Sequence, residues 1–340
     1  MAWSVPIYSK SQVDKAGMAL LDGGGTTTVE ARQIVDNWRS AHNFPLNSFQ
    51  TGLRSKAKAV DGDFIVAQRI KRMSSILTKL KRYNVRLSQM QDIGGCRAIM
   101  QNITHVSQLV ESYQAGDMDK PDHEKGKITD YIARPKSSGY RGVHIVYKYS
   151  GRSPAFHGLN IEIQIRTVSQ HAWATAVETV EIFTKYALKS SEGSTNWLRF
   201  FAVMATVIAQ MENCNPVPST PTLENAKQLI YDYDNTLDAL NLLKTYGAVI
   251  SNIRNFQYSS DRYFLLLLQP GSKELEVRGY AKGSLKKASR DYEALENEIR
   301  GSGDIAVLVS ANSIAELRKA FPNYFGDTTM FIDLVNQALA

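Results

Sequence analysis

The sequence predicts an α+β fold in two parts, a larger N-terminal unit and a smaller C-terminal one. Three observations carry that expectation. The apolar period moves repeatedly between about 3.6 and 2 along the chain. The 340 residues exceed the usual size of one domain. Three of the ten prolines fall within six residues inside Cys214–Glu224. Such a cluster holds neither a helix nor a central strand, so a stiff linker is expected at 214–223. It would divide a domain over 1–213 from a second α+β domain over 224–340.

In the first unit, Ser11–Leu21 and Val29–Ala41 read as helices, with Gly23, Gly24 and Gly25 as the turn that ends the first. The triple glycine lacks a preceding strand and a following Gly-Lys-Ser/Thr, so it is not expected to be a phosphate loop. Phe64–Arg82 reads as one helix, because Ile70, Met73, Leu77 and Leu80 form an apolar stripe at helical spacing. Strands are expected at Cys96–Met100, His144–Tyr149 and Ile161–Arg166. The last alternates strictly, with Ile161, Ile163 and Ile165 facing one way and Glu162, Gln164 and Arg166 the other. Helices at Ser169–Leu188 and Ser194–Met211 are apolar enough to cover a sheet. In the second unit, a helix over Glu224–Tyr246 precedes strands at Val249–Phe256, Tyr263–Leu268 and Leu275–Tyr280. Helices at Ser284–Arg300 and Ile314–Phe321 surround a strand at Ile305–Ser310, and a last helix lies near Thr328–Leu339.

Composition bounds the partners. The net charge of +7 favours an anionic partner, be it nucleotide, nucleic acid or lipid surface. No run approaches the ~18 apolar residues that span a bilayer. Trp197–Met211 is short and broken by Arg199, so it reads as a core helix. The first residues show no basic region followed by an apolar core, and a secretory signal is not expected. Cys96 and Cys214 are the two cysteines and lack a metal-binding spacing, which fits a reducing cytoplasm.

Four segments hold residues suited to chemistry. Between Arg69 and Arg86 stand seven basic residues and no acidic one, and on the expected helix Lys71, Ser75 and Lys79 share a face. Asp92 precedes the Gly94-Gly95 pair and Arg97 follows it; alone, an Asp before two glycines is ordinary turn chemistry. The loop Arg134–His144 places cations, Tyr140 and His144 together, a set able to stack on a base and grip phosphates. On Ile161–Arg166 the polar face carries Glu162, Gln164 and Arg166, and such a stripe commonly faces water. Taken with Asp92, however, Glu162 supplies a second hard oxygen ligand of the sort magnesium accepts beside substrate phosphates. Two carboxylates among many cations is what phosphoryl transfer needs.

Arg69-x-Lys71-x-x-x-Ser75-Ile76-x-x-Lys79-Leu80, Asp92-Ile93-x-Gly95-x-Arg97, Gly139-Tyr140-Arg141-x-x-His144 and Glu162-Ile163-Gln164-Ile165-Arg166-Thr167 follow one another in the order of the RelA/SpoT synthetase family. With Trp173, Ala174 and Glu178 trailing them, the chain resembles that family over roughly residues 50–190. The family makes the alarmones pppGpp and ppGpp. The resemblance implies a nucleotidyltransferase-like mixed sheet flanked by helices. It implies that Arg69, Lys71, Ser75, Lys79 and Arg97 hold ATP phosphates and that Asp92 and Glu162 bind Mg²⁺. Glu162 would also activate the acceptor 3′-hydroxyl. Tyr140 would stack on the acceptor base, with Lys136, Arg141, His144 and Gln164 around it. Gly142 stands where many relatives have Ser. None of the six histidines precedes an Asp, so the hydrolase His-Asp pair of long relatives is missing and a small synthetase-only member is expected.

Three functions compete on these grounds. One is an alarmone synthetase with GDP or GTP as acceptor. Another is a toxic relative that acts on the 3′ end of tRNA or on adenine nucleotides, as in phage defence. A non-catalytic nucleotide sensor is the third, and the presence of both Asp92 and Glu162 argues against it. The second unit carries no catalytic motif and is expected to bind a regulatory ligand or protein; its Phe321-Pro322-Asn323-Tyr324-Phe325 stretch is either an interaction surface or core packing.

Overall fold

A computed structural model describes residues 3–22, 27–115, 123–184, 194–218, 220, 223–249, 252–254 and 261–340. The chain opens with helices α1 (Lys10–Asp22), α2 (Thr27–Ala41) and α3 (Asn43–Val60). Strand β1 (Ile65–Ile70), helix α4 (Met73–Tyr83), strand β2 (Gly94–Met100) and helix α5 (Ile103–Gln114) follow. Strands β3 (Glu124–Asp130), β4 (Val143–Lys148) and β5 (Asn160–Thr167) then lead into helices α6 (Val168–Thr184) and α7 (Thr195–Met211). After the prolines come α8 (Leu223–Leu237), α9 (Ala239–Val249), β6 (Asn252–Arg254), β7 (Asp261–Gln269), β8 (Glu274–Ala281), α10 (Leu285–Glu298), β9 (Ile305–Ser310), α11 (Ile314–Ala320) and α12 (Thr329–Leu339).

Among the described residues the strands form one nine-stranded mixed sheet, ordered β3-β4-β5-β2-β1-β9-β7-β8-β6. β2 and β5 run parallel, whereas β1 is antiparallel to both β2 and β9. The alternation of β5 governs the first half. Ile161, Ile163 and Ile165 are fully buried in a core shared with Leu46, Leu53 and Leu109 of α3 and α5. Each such side chain contributes about 1.5–3 kcal/mol by leaving water. The polar face of β5 points the other way, beneath α6.

The expected helix over Phe64–Arg82 divides instead into β1 and α4. Ile65–Ile70 is rich in β-branched residues and is buried on both faces, so it shows no alternation of its own. Of the expected stripe, Met73 and Leu80 are buried on α4 and Leu77 only partly, with Ile76 buried beside them; the helix ends at Asn84 in the left-handed conformation, φ +47°. Arg69 therefore projects from a strand and Lys71 from the turn that follows. The expected helix Glu224–Tyr246 likewise breaks at Asp238, φ +52°, into α8 and α9.

The two sides of the proline cluster are not walled off from each other. β9 extends the N-terminal sheet by pairing with β1, Gln68 opposite Ser310 and Arg69 opposite Val309. Helices α8, α9 and α12 share a core with α6 and α7, where Phe200 packs on Phe331. Residues 214–218 run back along α7 rather than hanging free: Val217 is buried and its N–H donates to Thr206 Oγ1 at 3.0 Å. Local patterning cannot anticipate a strand pairing across some 240 residues of sequence. Phe321, Tyr324 and Phe325 are buried against β7 and β9, the packing alternative of the two expected for that stretch. The Gly23–Gly25 turn and half of the expected strand Val249–Phe256 lie outside the described residues; of the rest, Val249 ends α9 and Asn252–Arg254 form β6. No helix among the described residues is long and apolar enough to cross a membrane.

Candidate active site

Register places the chemical residues side by side. Gly95 of β2 lies between Arg69 of β1 and Glu162 of β5, and one step along, Arg97 lies beside Gln164, with His144 of β4 beyond it. Paired residues share a face of the sheet, so these side chains meet on the polar face, opposite the isoleucines. The stripe on β5 does not face water as such stripes commonly do; α6 and the segment after α11 cover it.

Two cavities open on this face and share Arg69 and Lys71. The smaller is lined by Asp92, Arg97, Glu162 and Gln164, with Phe321 over it. The larger is lined by Ser75, Lys79, Arg72 and Arg82 from α4 and its approach, with Glu178 and Tyr324 opposite. Four of the five residues expected to hold ATP, Arg69, Lys71, Ser75 and Lys79, thus line one cavity, whereas Arg97 lines the adjoining one with the carboxylates.

Asp92 is gripped by two lysines. Lys71 Nζ lies 2.8 Å from Oδ2 and Lys79 Nζ 2.9 Å from Oδ1. Burial alone would raise this carboxyl, but the two ammonium groups outweigh it and bring it down to about 2. Lys71 itself is pushed down, by burial first and then by the charge of Arg69, against the pull of Asp92.

Glu162 anchors a chain of hydrogen bonds. Its Oε1 lies 2.9 Å from His144 Nδ1, and Oε2 accepts from Gln164 Nε2 at 2.6 Å. Gln164 Oε1 in turn accepts from Arg97 Nε at 3.4 Å. Tyr140 Oη lies 2.6 Å from His144 Nε2. A carboxylate on one side and a hydroxyl on the other suit the tautomer with the proton on Nδ1. Burial would raise the Glu162 carboxyl, yet the bond to His144 holds it below the ordinary value. Burial pushes the Tyr140 phenol up to about 12.

Tyr140 reaches His144 because of two glycines. Gly139, φ +94°, passes so close to Ala205 and Trp173 that a Cβ would meet them at 2.8 and 2.9 Å. Gly142 has φ +145°, a conformation that a Ser there would adopt only with strain. Lys136 Nζ sits over the rings of Tyr131, 4.4 Å, and Tyr140, 5.2 Å. Arg141 does not join this group. It is buried and donates to the Asn215 carbonyl, because successive residues of an extended segment point to opposite sides. It fastens the loop Arg134–His144 to the end of α7, where Asn215 Nδ2 also donates to the Ala133 carbonyl at 3.0 Å.

Five residues to which the sequence assigns no site role also stand at the site. Tyr131 stands edge-on to His144 at 5.2 Å. Arg166, buried beside Arg97, is pulled down to about 9 by burial and by that neighbour; its parity with Glu162 and Gln164 was the available signal. Glu178 of α6 is the acidic group whose field reaches Arg69, Arg97 and Arg166 alike. Phe321 and Tyr324 arrive from beyond the prolines; their aromatic stretch stands out in the sequence, but no local pattern places it at this site.

Asp92 and Glu162 line one cavity and are hard oxygen donors of the type a divalent cation takes. Among the described residues no group of three or more His, Cys, Asp or Glu side chains is placed to hold a metal by itself. Such a pair suits an ion that keeps waters and takes substrate phosphates as its other ligands.

Residues 68–187 match the family model for the region found in RelA / SpoT proteins. GTP pyrophosphokinase YjbM of Bacillus subtilis is 37% identical over 115 residues, 32% of this chain and 52% of the relative. The chain thus spans about half the length of that relative. GTP pyrophosphokinase YwaC of the same organism is 29% identical over 162 residues, 43% of this chain and 75% of the relative. The crystal structure of small alarmone synthetase 1 from Bacillus subtilis bound to its product pppGpp aligns with a TM-score of 0.44 at 24% identity, covering 51% of this chain and 90% of that one. Over residues 68–187 the chain is accordingly similar to the RelA/SpoT region found in these relatives.

Proposed function

We propose that this chain transfers pyrophosphate from ATP to the 3′-hydroxyl of GDP or GTP, giving (p)ppGpp. The observation that carries the reading is the placing of Glu162, already bonded to His144, across Gly95 from the cationic cluster of Arg69, Lys71 and Lys79 around Asp92. In the proposed reaction the acceptor 3′-oxygen attacks the β-phosphorus of ATP, the bond from that phosphorus to the bridging oxygen breaks, and AMP departs. Glu162 takes the hydroxyl proton, with His144 keeping the carboxylate ionised and oriented. Arg69, Lys71, Ser75, Lys79 and Arg97 bind the phosphates and offset their charge. Tyr140, Lys136 and Gln164 border the acceptor side. Asp92 and Glu162 are the residues that would hold Mg²⁺, which would supply further neutralisation of the phosphates.

The test incubates purified protein with γ-labelled ATP, Mg²⁺ and, separately, GDP, GTP, AMP, ATP or tRNA. Label is expected on GDP or GTP and not without Mg²⁺. Transfer mainly to tRNA or an adenine nucleotide would replace the acceptor while keeping the chemistry, and transfer to none of them would overturn the reading.

A further inference from the structure

The turn between β1 and α4, which carries Lys71, is held from outside the RelA/SpoT region. Lys71 N–H donates to the Ile93 carbonyl at 2.8 Å, next to Asp92. The Lys71 carbonyl accepts from Arg39 Nε at 3.2 Å and from Arg39 Nη2 at 3.1 Å. Two residues on, Met73 N–H, an orphan donor of the first helical turn, donates to Glu296 Oε1 at 3.0 Å. Arg39 belongs to α2 and Glu296 to α10, so elements from opposite ends of the chain close on this single turn.

The pair is buried and fully partnered. The side chains of Arg39 and Glu296 are 3% and 8% exposed, and Arg39 Nη1 meets Glu296 Oε2 at 2.8 Å and Asp36 Oδ1 at 2.9 Å. Arg39 Nη2 also donates to Tyr292 Oη at 3.0 Å, so all five guanidinium N–H groups have acceptors. Tyr292 Oη donates to Glu296 Oε1 at 2.8 Å, and Arg32 Nη2 reaches Oε2 at 3.5 Å. Arg32 and Arg39 balance Asp36 and Glu296. A planar fork with every bond satisfied fixes direction as well as distance, which an ammonium group does not.

We infer that Arg39 and Glu296 are positioning residues for nucleotide binding, fixing the backbone of Lys71–Met73 so that Lys71 and α4 present their cations to ATP. The C-terminal helix α10 is then part of what builds the ATP site. This inference rests on the reading that ATP binds at Arg69, Lys71, Ser75 and Lys79.

The test uses the full chain and three variants, Arg39→Lys, Tyr292→Phe and Arg32→Lys. Arg32→Lys is the control, because Arg32 belongs to the same network but touches neither Lys71 nor Met73. Binding of a non-hydrolysable ATP analogue is measured directly, together with KM for ATP and for the acceptor and amide hydrogen exchange at Lys71 and Met73. Arg39→Lys is expected to weaken analogue binding and raise KM for ATP by at least about fivefold, the consequence of losing charge-assisted bonds. The acceptor KM should stay constant and the two amides should exchange faster. Tyr292→Phe, which keeps the ring packing, should move the same quantities less, and it serves as the decisive variant if Arg39→Lys fails to fold. Arg32→Lys should leave them at wild-type values. Equal losses in Arg32→Lys, or unchanged affinity in a folded Arg39→Lys or Tyr292→Phe, would overturn the inference. Wild-type protein that binds no ATP analogue would instead sink the ATP reading, and faster exchange confined to Lys71 and Met73 would then uphold only the fixing of the turn.

Discussion

Strands β5 and β7 belong to one sheet and follow different rules. β5 alternates Ile161, Glu162, Ile163, Gln164, Ile165 and Arg166, whereas β7 runs Leu265, Leu266, Leu267 and Leu268, all four buried. Helix α10 covers one face of β7 and α11 with Phe321 and Tyr324 the other, both with apolar side chains. β5 has an equally dry face toward α3, but its second face is polar although α6 lies over it. Polar groups kept from water must satisfy one another or a ligand. Along Leu265–Leu268 of β7 no polar side chain needs satisfying, and that stretch serves as scaffold. On β5 the Glu162 carboxylate and the Gln164 amide form a network with His144 of β4 and Arg97 of β2 that lines the smaller cavity, which is where perturbed ionisable groups mark function.

The largest expected effect lies on the polar face. Glu162→Gln keeps the shape and the bond to Gln164 but removes the negative charge, and pyrophosphate transfer should fall at least about a hundredfold, as loss of a general base does. Thermal unfolding should change little. A variant that keeps more than about a tenth of the wild-type turnover in the labelled-ATP assay would erase the functional distinction between the two strands. The reciprocal change is Leu266→Ala, at a side chain with no exposed surface. It should cost about 2–5 kcal/mol of stability in urea unfolding through lost transfer energy and a cavity, while turnover per folded molecule stays at the wild-type value.

The same contrast explains which elements could be read in advance. β5 was legible because one dry face imposes a period of two, and β7 because a short leucine run between turn residues fits a strand buried on both sides. β1 was misread for a related reason. With both faces buried it has no alternation, and Ile70 happens to stand at helical spacing from Met73, so the helical stripe of α4 extended backward over it. α3 was missed although Leu46, Phe49, Leu53 and Ala57 are spaced as a helix face, since Pro45, Gly52 and several Ser, Thr and Asn residues lower its propensity. Within the site, motif order brought Asp92, Glu162, Lys71 and Lys79 together even where the secondary structure assigned to them was wrong. Arg141 was grouped with Tyr140 because the two are neighbours in sequence, yet neighbours on extended backbone diverge. The contributions of Phe321, Tyr324 and Glu296 depend on the pairing of β9 with β1, a long-range event with no local signature.

Asp92 gives a smaller, pH-dependent test. Its carboxyl, brought down to about 2 against burial by Lys71 and Lys79, lies below the value near 4 of an unfolded chain. A depressed folded value means that the stabilisation is complete above about pH 4 and is lost as the pH falls toward about 2. The shift corresponds to about 2 kcal/mol. Denaturant unfolding of wild type and Asp92→Asn should therefore differ by about that amount at neutral pH, and the gap should close between about pH 4 and pH 2. A gap independent of pH would mean that the lysines do not hold Asp92 as the geometry places them.

The smallest effect concerns Tyr140, where two roles can be separated by a single oxygen. The hydroxyl is bonded to His144, which is bonded to Glu162, while the ring stands beside Lys136, on the side proposed for the acceptor. Tyr140→Phe removes the hydrogen bond and leaves the ring, so His144 loses one of the two partners that set its tautomer. One such bond is worth about 1 kcal/mol, or roughly fivefold in rate. If Tyr140 acts through His144, kcat should fall by about that factor with the acceptor KM unchanged. If the ring stacks on the acceptor base, Tyr140→Phe should be near wild type and Tyr140→Ala should raise the acceptor KM by about five- to 150-fold, the range of a stacking contact of roughly 1–3 kcal/mol, with the KM for ATP unmoved. Both effects together would mean that the polar face and the acceptor loop share one residue, whereas equal losses for ATP and acceptor in Tyr140→Ala would take Tyr140 out of both roles and leave it to packing against Trp173 and α7.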